Sequence, residues 1–442
     1  MEYEFSNNQG FEYAEKIVLE TNYSLFLTGK AGTGKSTFLK YIADKTTKNH
    51  VIVAPTGIAA INARGETIHS FFGVPFGPLS PNDERIRKNR YNPDKTEVME
   101  NMELLIIDEI SMVRADLLDA IDYILRKVRK KPFPFGGVQV LLVGDLFQLE
   151  PVVKQEEKPF LERFYKSPYF FNAWVMNDLE LINIELEKIY RQEDPFFIQL
   201  LNKIRSRTAN YDDLVKLNRR PSKLMSGDTK FYITLCTTRN TADKTNLEKL
   251  EALENPLFTF KGKIEGDFPE KTLPTDIALK LKKGAQVIFI KNESAYFRRW
   301  VNGTIGVIEF IDENELKVRL DNGKLVTVEQ EIWENVQFKY NPEKNKIEEE
   351  VKGKFTQYPI KLAWAITIHK SQGLTFENIV LDLGRGAFAA GQLYVALSRC
   401  RTLEGIVLKN KVRQRDVIVR EEVLAYYEQM NDFTKIENIL KA

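Results

Sequence analysis

Residues 25–40 read LFLTGKAGTGKSTFLK. An apolar run enters a glycine-rich loop, and apolar residues resume behind it. The loop fits G-x-x-x-x-G-K-[ST], with Gly29, Gly34, Lys35 and Ser36 in the fixed places. Glycines let successive backbone N–H groups turn inward around a phosphate that a Cβ would obstruct. Gly32, Thr33, Gly34, Lys35, Ser36 and Thr37 are therefore the expected phosphate cradle. Lys35 would reach the β- and γ-phosphates and the Ser36 hydroxyl would ligate Mg²⁺. The helix that follows would aim its positive N-terminus at the same phosphates. A strand, this loop and a helix imply an α/β nucleoside triphosphatase.

Such a loop needs carboxylates nearby, and ELLIIDEISMV (103–113) ends a buried strand in Asp108 and Glu109. Asp108 would hold the metal, and Glu109 would orient and deprotonate the attacking water. A third strand, VQVLLVGDLFQLEPV (138–152), ends in Asp145 and then Gln148, a group suited to sensing the γ-phosphate. Apolar strands that each end in polar residues describe the ligand-binding edge of a parallel sheet.

The 64 Lys and Arg nearly balance the 62 Asp and Glu, so any nucleic-acid site must be a local patch rather than a global field. Two cysteines cannot make a four-cysteine metal site and fit a reducing compartment. No run of about 18 apolar residues is present, so no membrane span is expected. The acidic start MEYEFSNNQ has no targeting character, and a cytoplasmic protein is expected.

Residues 73–97 interrupt the αβ rhythm with four prolines and a basic cluster, and read as a small insertion. The stretch 115–131 has apolar residues at Leu117, Leu118, Ile121, Ile124, Leu125 and Val128, the pattern of an amphipathic helix. Its basic end suits either the helix dipole or nucleic acid. A second αβ series begins near residue 180, interrupted over 301–340 by period-2 strands and the turn Asp321-Asn322-Gly323. With one phosphate loop and two αβ halves, the second half would supply groups to a shared cleft. Arg191 in IYRQ and Arg399 in YVALSRCR are candidates to stabilise phosphate charge, and Tyr190 to stack on a base or fill the core.

APTGIAAINARGETIHSFF, IIDEISMV, GDLFQLEPV, AWAITIHKSQGLTFE and YVALSRCR follow the loop in that order. Together they resemble the motifs of superfamily-one helicases, specifically the Pif family of the 5′→3′ branch, with RecD-type helicases next. The resemblance covers residues 5 to about 407. It implies ATP with Mg²⁺, read through Gln9, and places Gln372 and Gly373 at the ATP cleft. DNA contacts are implied at Pro55, Thr56, Gly57, Thr67, His69, Ser70, Phe71 and Phe72 in the first half. In the second half they are implied at Asn302, Gly303, Thr367, His369, Lys370 and Ser371. Backbone amides and small hydroxyls grip phosphates without reading sequence.

The implied architecture is two RecA-like motor domains, at 1–64 with 101–180 and at 181–299 with 354–442. A wedge insertion would occupy 65–100, with Phe71, Phe72 and Phe76 as wedge or core aromatics and Arg85, Arg87, Lys88 and Arg90 drawing phosphates. A barrel like a Src-homology-three domain would occupy 300–353. The implied partners are single-stranded, forked and tailed DNA, G-quadruplexes and RNA–DNA hybrids, engaged by a monomer or a transient dimer. The implied work is replication, repair and telomere maintenance. A nucleoid-associated bacterial or a viral form is expected. The rival from another class is an ATP-driven protein remodeller or loader, which would borrow its arginine from a neighbouring subunit.

Overall fold

The computed structural model describes residues 8–81, 83–89, 91–221, 231–293, 298–428, 430 and 433–441. Phe5 and Arg90 lie outside these residues. Six parallel strands form the first sheet: β1 (Ser24–Gly29), β2 (His50–Ala54), β3 (Glu66–Thr67), β4 (Leu104–Ile107), β5 (Gln139–Val143) and β6 (Leu181–Leu186). Their order is β3-β2-β4-β5-β1-β6. Strands β1, β4 and β5 are buried along their whole length, as near-continuous apolar runs in a helix-covered parallel sheet should be. This order brings the C-terminal ends of β1, β4 and β5 side by side, and with them the phosphate loop, Asp108 and Asp145.

The amphipathic stretch forms the helix Ala115–Arg129. Its basic end is engaged internally: Arg126 pairs with Asp122, and Arg129 donates to the carbonyls of Met99, Glu100 and Met102. Those carbonyls end the helix Pro93–Asn101, so Arg129 caps a neighbouring helix.

The second half carries its own parallel sheet of β7 (Ile233–Cys236), β8 (Ala365–Thr367), β9 (Ile379–Asp382) and β10 (Ile406–Leu408), ordered β8-β7-β9-β10. Between β7 and β8 the chain is antiparallel. Strands Leu325–Thr327, Leu316–Leu320, Ile305–Ile311, Gln286–Phe289 and Ile360–Leu362 form one sheet, so the unit expected at 300–353 also takes a strand from before that range and one from after it. Its core is separate from the main one and includes Val287, Phe289, Trp300, Val318, Leu320 and Ile360. The turn at Asp321-Asn322-Gly323 joins two of these strands, with Gly323 at φ 81°. A long hairpin, Glu331–Asn341 with Lys346–Gln357, leans on the first half. There the Phe338 amide donates to Glu66 Oε1 (3.2 Å), and the Ile347 amide to Asn49 Oδ1 (3.0 Å). The helix Glu421–Tyr427 also returns to the first half, where Tyr426 stacks on Phe171 at 4.5 Å. Among the described residues no helix is long and apolar enough to cross a membrane.

Candidate active site

A cavity of about 600 Å³ lies where the two halves meet. Gly32, Thr33, Gly34, Lys35, Ser36 and Thr37 form one wall, Asp108, Glu109 and Gln148 another, and Tyr190, Arg191, Gly373 and Arg399 close it. The loop turns through left-handed backbone at Gly32 (φ 83°) and Gly34 (φ 90°). A Cβ on Gly32 would come within 2.5 Å of Arg191 Cβ, so glycine is required for space as well as for φ. Lys35 Nζ donates to the carbonyls of Gly29 (2.6 Å) and Lys30 (3.0 Å), acceptors that phosphate oxygens would replace. Burial lowers the Lys35 pKa, opposed by the charges of Asp145 and Glu109.

Asp108 follows the tip of β4 and accepts the Glu109 amide (2.9 Å). Glu109 sits at φ 51°, ψ 44°, a left-handed conformation uncommon for a side chain of this size and typical of strained functional positions. Burial raises both carboxyls above their ordinary range, and the Asp108 charge raises Glu109 further. The Ser36 hydroxyl and the Asp108 carboxylate are hard oxygen donors that both line the cavity, a set that fits Mg²⁺ completed by phosphate oxygens and water.

Two arginines close the cleft: Arg399 comes from the second half, while Arg191 follows β6, a strand of the first sheet, so the second half starts later than the expected residue 181. Arg399 is 1% exposed and is held by the carbonyls of Val395 and Leu374 and by the Ser398 hydroxyl. Burial, together with the charge of Arg191, pushes its pKa down to about 9. Arg191 Nη1 donates to the Ser398 carbonyl at 3.3 Å. Tyr190 N–H donates to the Gly32 carbonyl at 2.9 Å, and Tyr190 lines the cavity. Gln372 Nε2 donates to Glu109 Oε2 (3.0 Å) and to Gln148 Oε1 (3.2 Å), so both halves meet at the expected general base.

Gln372 also lines a second cavity, of about 380 Å³, between the halves. Asn302, Thr367 and Lys370 share its wall with Ile58, Trp333 and Lys361. Burial and the neighbouring Lys370 push the Lys361 pKa down to about 8. Thr56, Thr67 and Thr367 behave alike, each accepting a backbone N–H three residues on. Each hydroxyl hydrogen stays free to be donated to an acceptor such as a phosphate oxygen. Pro55 and Gly57 flank Thr56, and Lys370 and Ser70 are exposed. His69 is half-buried and stacks on Phe76 at 4.5 Å, while Phe76 is 81% exposed. His369 is half-buried, and burial lowers its pKa.

Four expectations require correction. Phe71 and Phe72 are fully buried and pack edge to face at 4.8 Å, so neither ring can stack on a base. Ser371 is buried and donates to the Ile368 carbonyl (2.7 Å), which removes its hydroxyl from any DNA contact. Gly303 is buried at φ 100°, where it turns the backbone and leaves the neighbouring Asn302 on the groove wall. Gln9, expected to read the adenine, is exposed beyond the residues that line the cavity, with its amide donating to the Tyr13 hydroxyl (2.9 Å). The sequence reading also missed Arg401 and Thr375 on the cavity wall and Tyr394, whose hydroxyl accepts the Ala31 amide (2.9 Å). Arg401 and Tyr394 stand inside the quoted YVALSRCR, so the motif held the signal.

Residues 6–213 match the family described as PIF1-like helicase, and residues 362–407 match the UvrD-like helicase C-terminal domain. The chain is 34% identical over 435 residues to the ATP-dependent DNA helicase PIF1 of Danio rerio, covering 94% of this chain and 64% of that protein. It spans 57 to 64% of the length of the curated relatives it matches. The crystal structure of Bacteroides sp Pif1 in complex with ADP-AlF4 is 42% identical, with a TM-score of 0.88 over 95% of this chain and 96% of that one. Bacteroides Pif1 bound to ssDNA is 44% identical over the same shares, with a TM-score of 0.68.

Proposed function

Because the chain belongs to the PIF1-like helicase family, we propose that it is an ATP-dependent DNA helicase that moves 5′→3′ on single-stranded DNA. The observation that carries this reading is the double role of Gln372. It lines the groove between the halves and hydrogen-bonds to Glu109 in the ATP cleft. A shift of the strand-gripping segment around Thr367 and Lys370 would thus reach the general base through two residues of chain.

Lys35 and the loop amides bind the phosphates, and Ser36 and Asp108 would hold Mg²⁺, which supplies charge neutralisation on the phosphate oxygens. Glu109 takes the proton of the attacking water, while Arg191 and Arg399 stabilise the charge that develops on the transferred group. Tyr190 offers a ring to the base. The strand is gripped through Thr56, Thr67, Asn302, Thr367 and Lys370, so affinity should fall with salt. Phe76 with His69 is the exposed aromatic pair suited to a duplex junction.

Tailed and forked duplexes, G-quadruplexes and RNA–DNA hybrids are the proposed substrates, in replication, repair and telomere or genome maintenance. A monomer or a transient dimer on DNA, free in the cytoplasm or on a nucleoid, is the proposed working form. Both arginines come from this same chain, which is what separates the reading from a loader completed by a neighbouring subunit. The test is ATP hydrolysis with and without oligo-dT at low salt, followed by unwinding of 5′-tailed and 3′-tailed duplexes. Strong stimulation and a 5′-tail preference support the proposal; a rate indifferent to DNA defeats it.

A further inference from the structure

Behind the cleft lies a buried guanidinium that the mechanism above does not use. Arg205 ends the helix Pro195–Arg205 and is 4% exposed. Its Nη2 donates to Glu185 Oε1 at 3.0 Å and to Asp145 Oδ1 at 3.3 Å. Aromatic rings enclose it, the Phe147 centroid 4.2 Å and the Tyr427 centroid 5.1 Å from the guanidinium carbon. Tyr427 also donates its hydroxyl to Glu185 Oε2 (2.5 Å), so one residue of the returning helix Glu421–Tyr427 touches both the arginine and its partner. Tyr427 lies beyond the last residue matched by either family, at position 407.

Asp145 is where this cluster meets the chemistry. Its Oδ2 accepts from Gln148 Nε2 (3.2 Å), and Gln148 Oε1 accepts from Gln372, which also donates to Glu109. An unbroken series of hydrogen bonds therefore runs Arg205–Asp145–Gln148–Gln372–Glu109. Asp145 also exerts the strongest attraction on the Lys35 ammonium. Two needs follow: Asp145 must point one oxygen at Gln148, and its charge must be matched by something other than Lys35. A buried carboxylate without a partner captures the nearest cation or a proton. Arg205 meets both needs: its Nη2 donates to Asp145 and Glu185 at once, and its guanidinium lies over the Phe147 and Tyr427 rings, a stacking that a lysine ammonium does not reproduce.

We propose that Arg205 is a positioning residue for ATP hydrolysis, holding Asp145 and through it the Gln148–Gln372–Glu109 series, and that Tyr427 completes its seat. The inference rests on the reading of the cleft as an ATPase. Arg205 orients the γ-phosphate sensor and leaves Lys35 to the phosphates. Tyr427 makes the returning helix part of the active-site support.

The experiment compares wild type, Arg205→Lys, Tyr427→Phe, Tyr427→Ala and the double variant Arg205→Lys/Tyr427→Ala. DNA-stimulated kcat is measured per nucleotide-binding site, alongside the affinity and stoichiometry of a fluorescent ATP analogue. Arg205→Lys should lose about 10- to 100-fold in kcat per binding site while affinity stays within about threefold. Tyr427→Ala should lose about tenfold, with the double variant no worse than Arg205→Lys, because residues acting through one another are not additive. Tyr427→Phe, which removes one hydroxyl and keeps the ring, should lose about threefold and carries the test should Arg205→Lys fail to fold. Rates per binding site that match wild type in the folded variants would overturn the inference alone. A wild type without DNA-stimulated hydrolysis would overturn the underlying reading and this inference with it.

Discussion

The two cavities between the halves are built on opposite plans. The larger is lined by charged and polar side chains held in place by named partners: Lys35 on loop carbonyls, Arg399 on three acceptors, Glu109 on Gln372. The smaller mixes apolar side chains such as Ile58, Leu247 and Trp333 with cations and small polar groups at its edges. The first is suited to one ligand of fixed shape, since preorganised charge needs no rearrangement when the reaction occurs. The second suits a polymer whose units differ, since apolar walls and hydroxyls accept any base and every phosphate. A site that must react is rigid, and a site that must slide is undemanding. Gln372 touches both, which makes their difference experimentally separable.

The largest expected effect breaks the rigid cavity while sparing the other. Arg399→Ala should lower DNA-stimulated kcat by about 10³-fold, the scale of a lost arginine finger. Oligo-dT affinity without nucleotide should stay within about threefold, since Arg399 is absent from the groove wall. Fluorescence anisotropy on labelled oligo-dT beside a coupled ATPase assay reads both. A parallel loss of DNA affinity would show that the cavities are not independent.

Next in size, Gln372→Ala should uncouple the two. Removing its amide leaves Glu109 and Gln148 without their shared partner, so stimulation by DNA should fall about tenfold while unstimulated hydrolysis changes little. An equal loss in both rates would make Gln372 part of the chemistry instead of the link.

The groove makes a pH prediction. Lys361 stands on the groove wall and would bind a phosphate only as the ammonium, and its pKa is pushed down to about 8 by burial and by Lys370. A lowered lysine pKa means the charge is present below about 8 and lost above it. Oligo-dT affinity should therefore weaken a few-fold between about pH 7 and pH 9, beyond any trend in Lys361→Met, since each phosphate contact contributes modestly. Identical pH profiles for the two proteins would remove Lys361 from the grip.

Legibility in the sequence follows the same division. The rigid cavity was readable because its phosphate wall is one contiguous loop, and Asp108, Glu109 and Gln148 each follow an apolar strand of the same sheet. The groove draws on residues from Ile58 to Leu374, and only those inside recognisable motifs could be named. Trp333 and Lys361 carry no local signal that distinguishes them from other strand residues. Arg205 was invisible for a different reason: it looks like the basic last turn of an ordinary amphipathic helix, and only folding brings Tyr427 and two carboxylates around it. The three phenylalanines near residue 72 show the limit of composition. Phe71 and Phe72 face the core between the short helix Ile68–Phe72 and the long hairpin, whereas Phe76 stands in solvent four residues on.

That contrast supplies the smallest activity effect and the sharpest separation of roles. Phe72→Ala should destabilise by about 3–5 kcal/mol, the cost of emptying a packed aromatic site, and should be seen as a lowered melting temperature. Phe76→Ala removes a ring that is 81% exposed, so melting and DNA-stimulated hydrolysis should stay near wild type. What it should lose is unwinding, by about two- to threefold on a 5′-tailed duplex, because its ring and His69 form the stacked pair offered to the junction. Translocation on single strands should be unaffected, since neither residue lines the groove. If Phe76→Ala slowed single-strand translocation as much as unwinding, the pair would belong to the grip and the wedge would have to be sought elsewhere in the insertion.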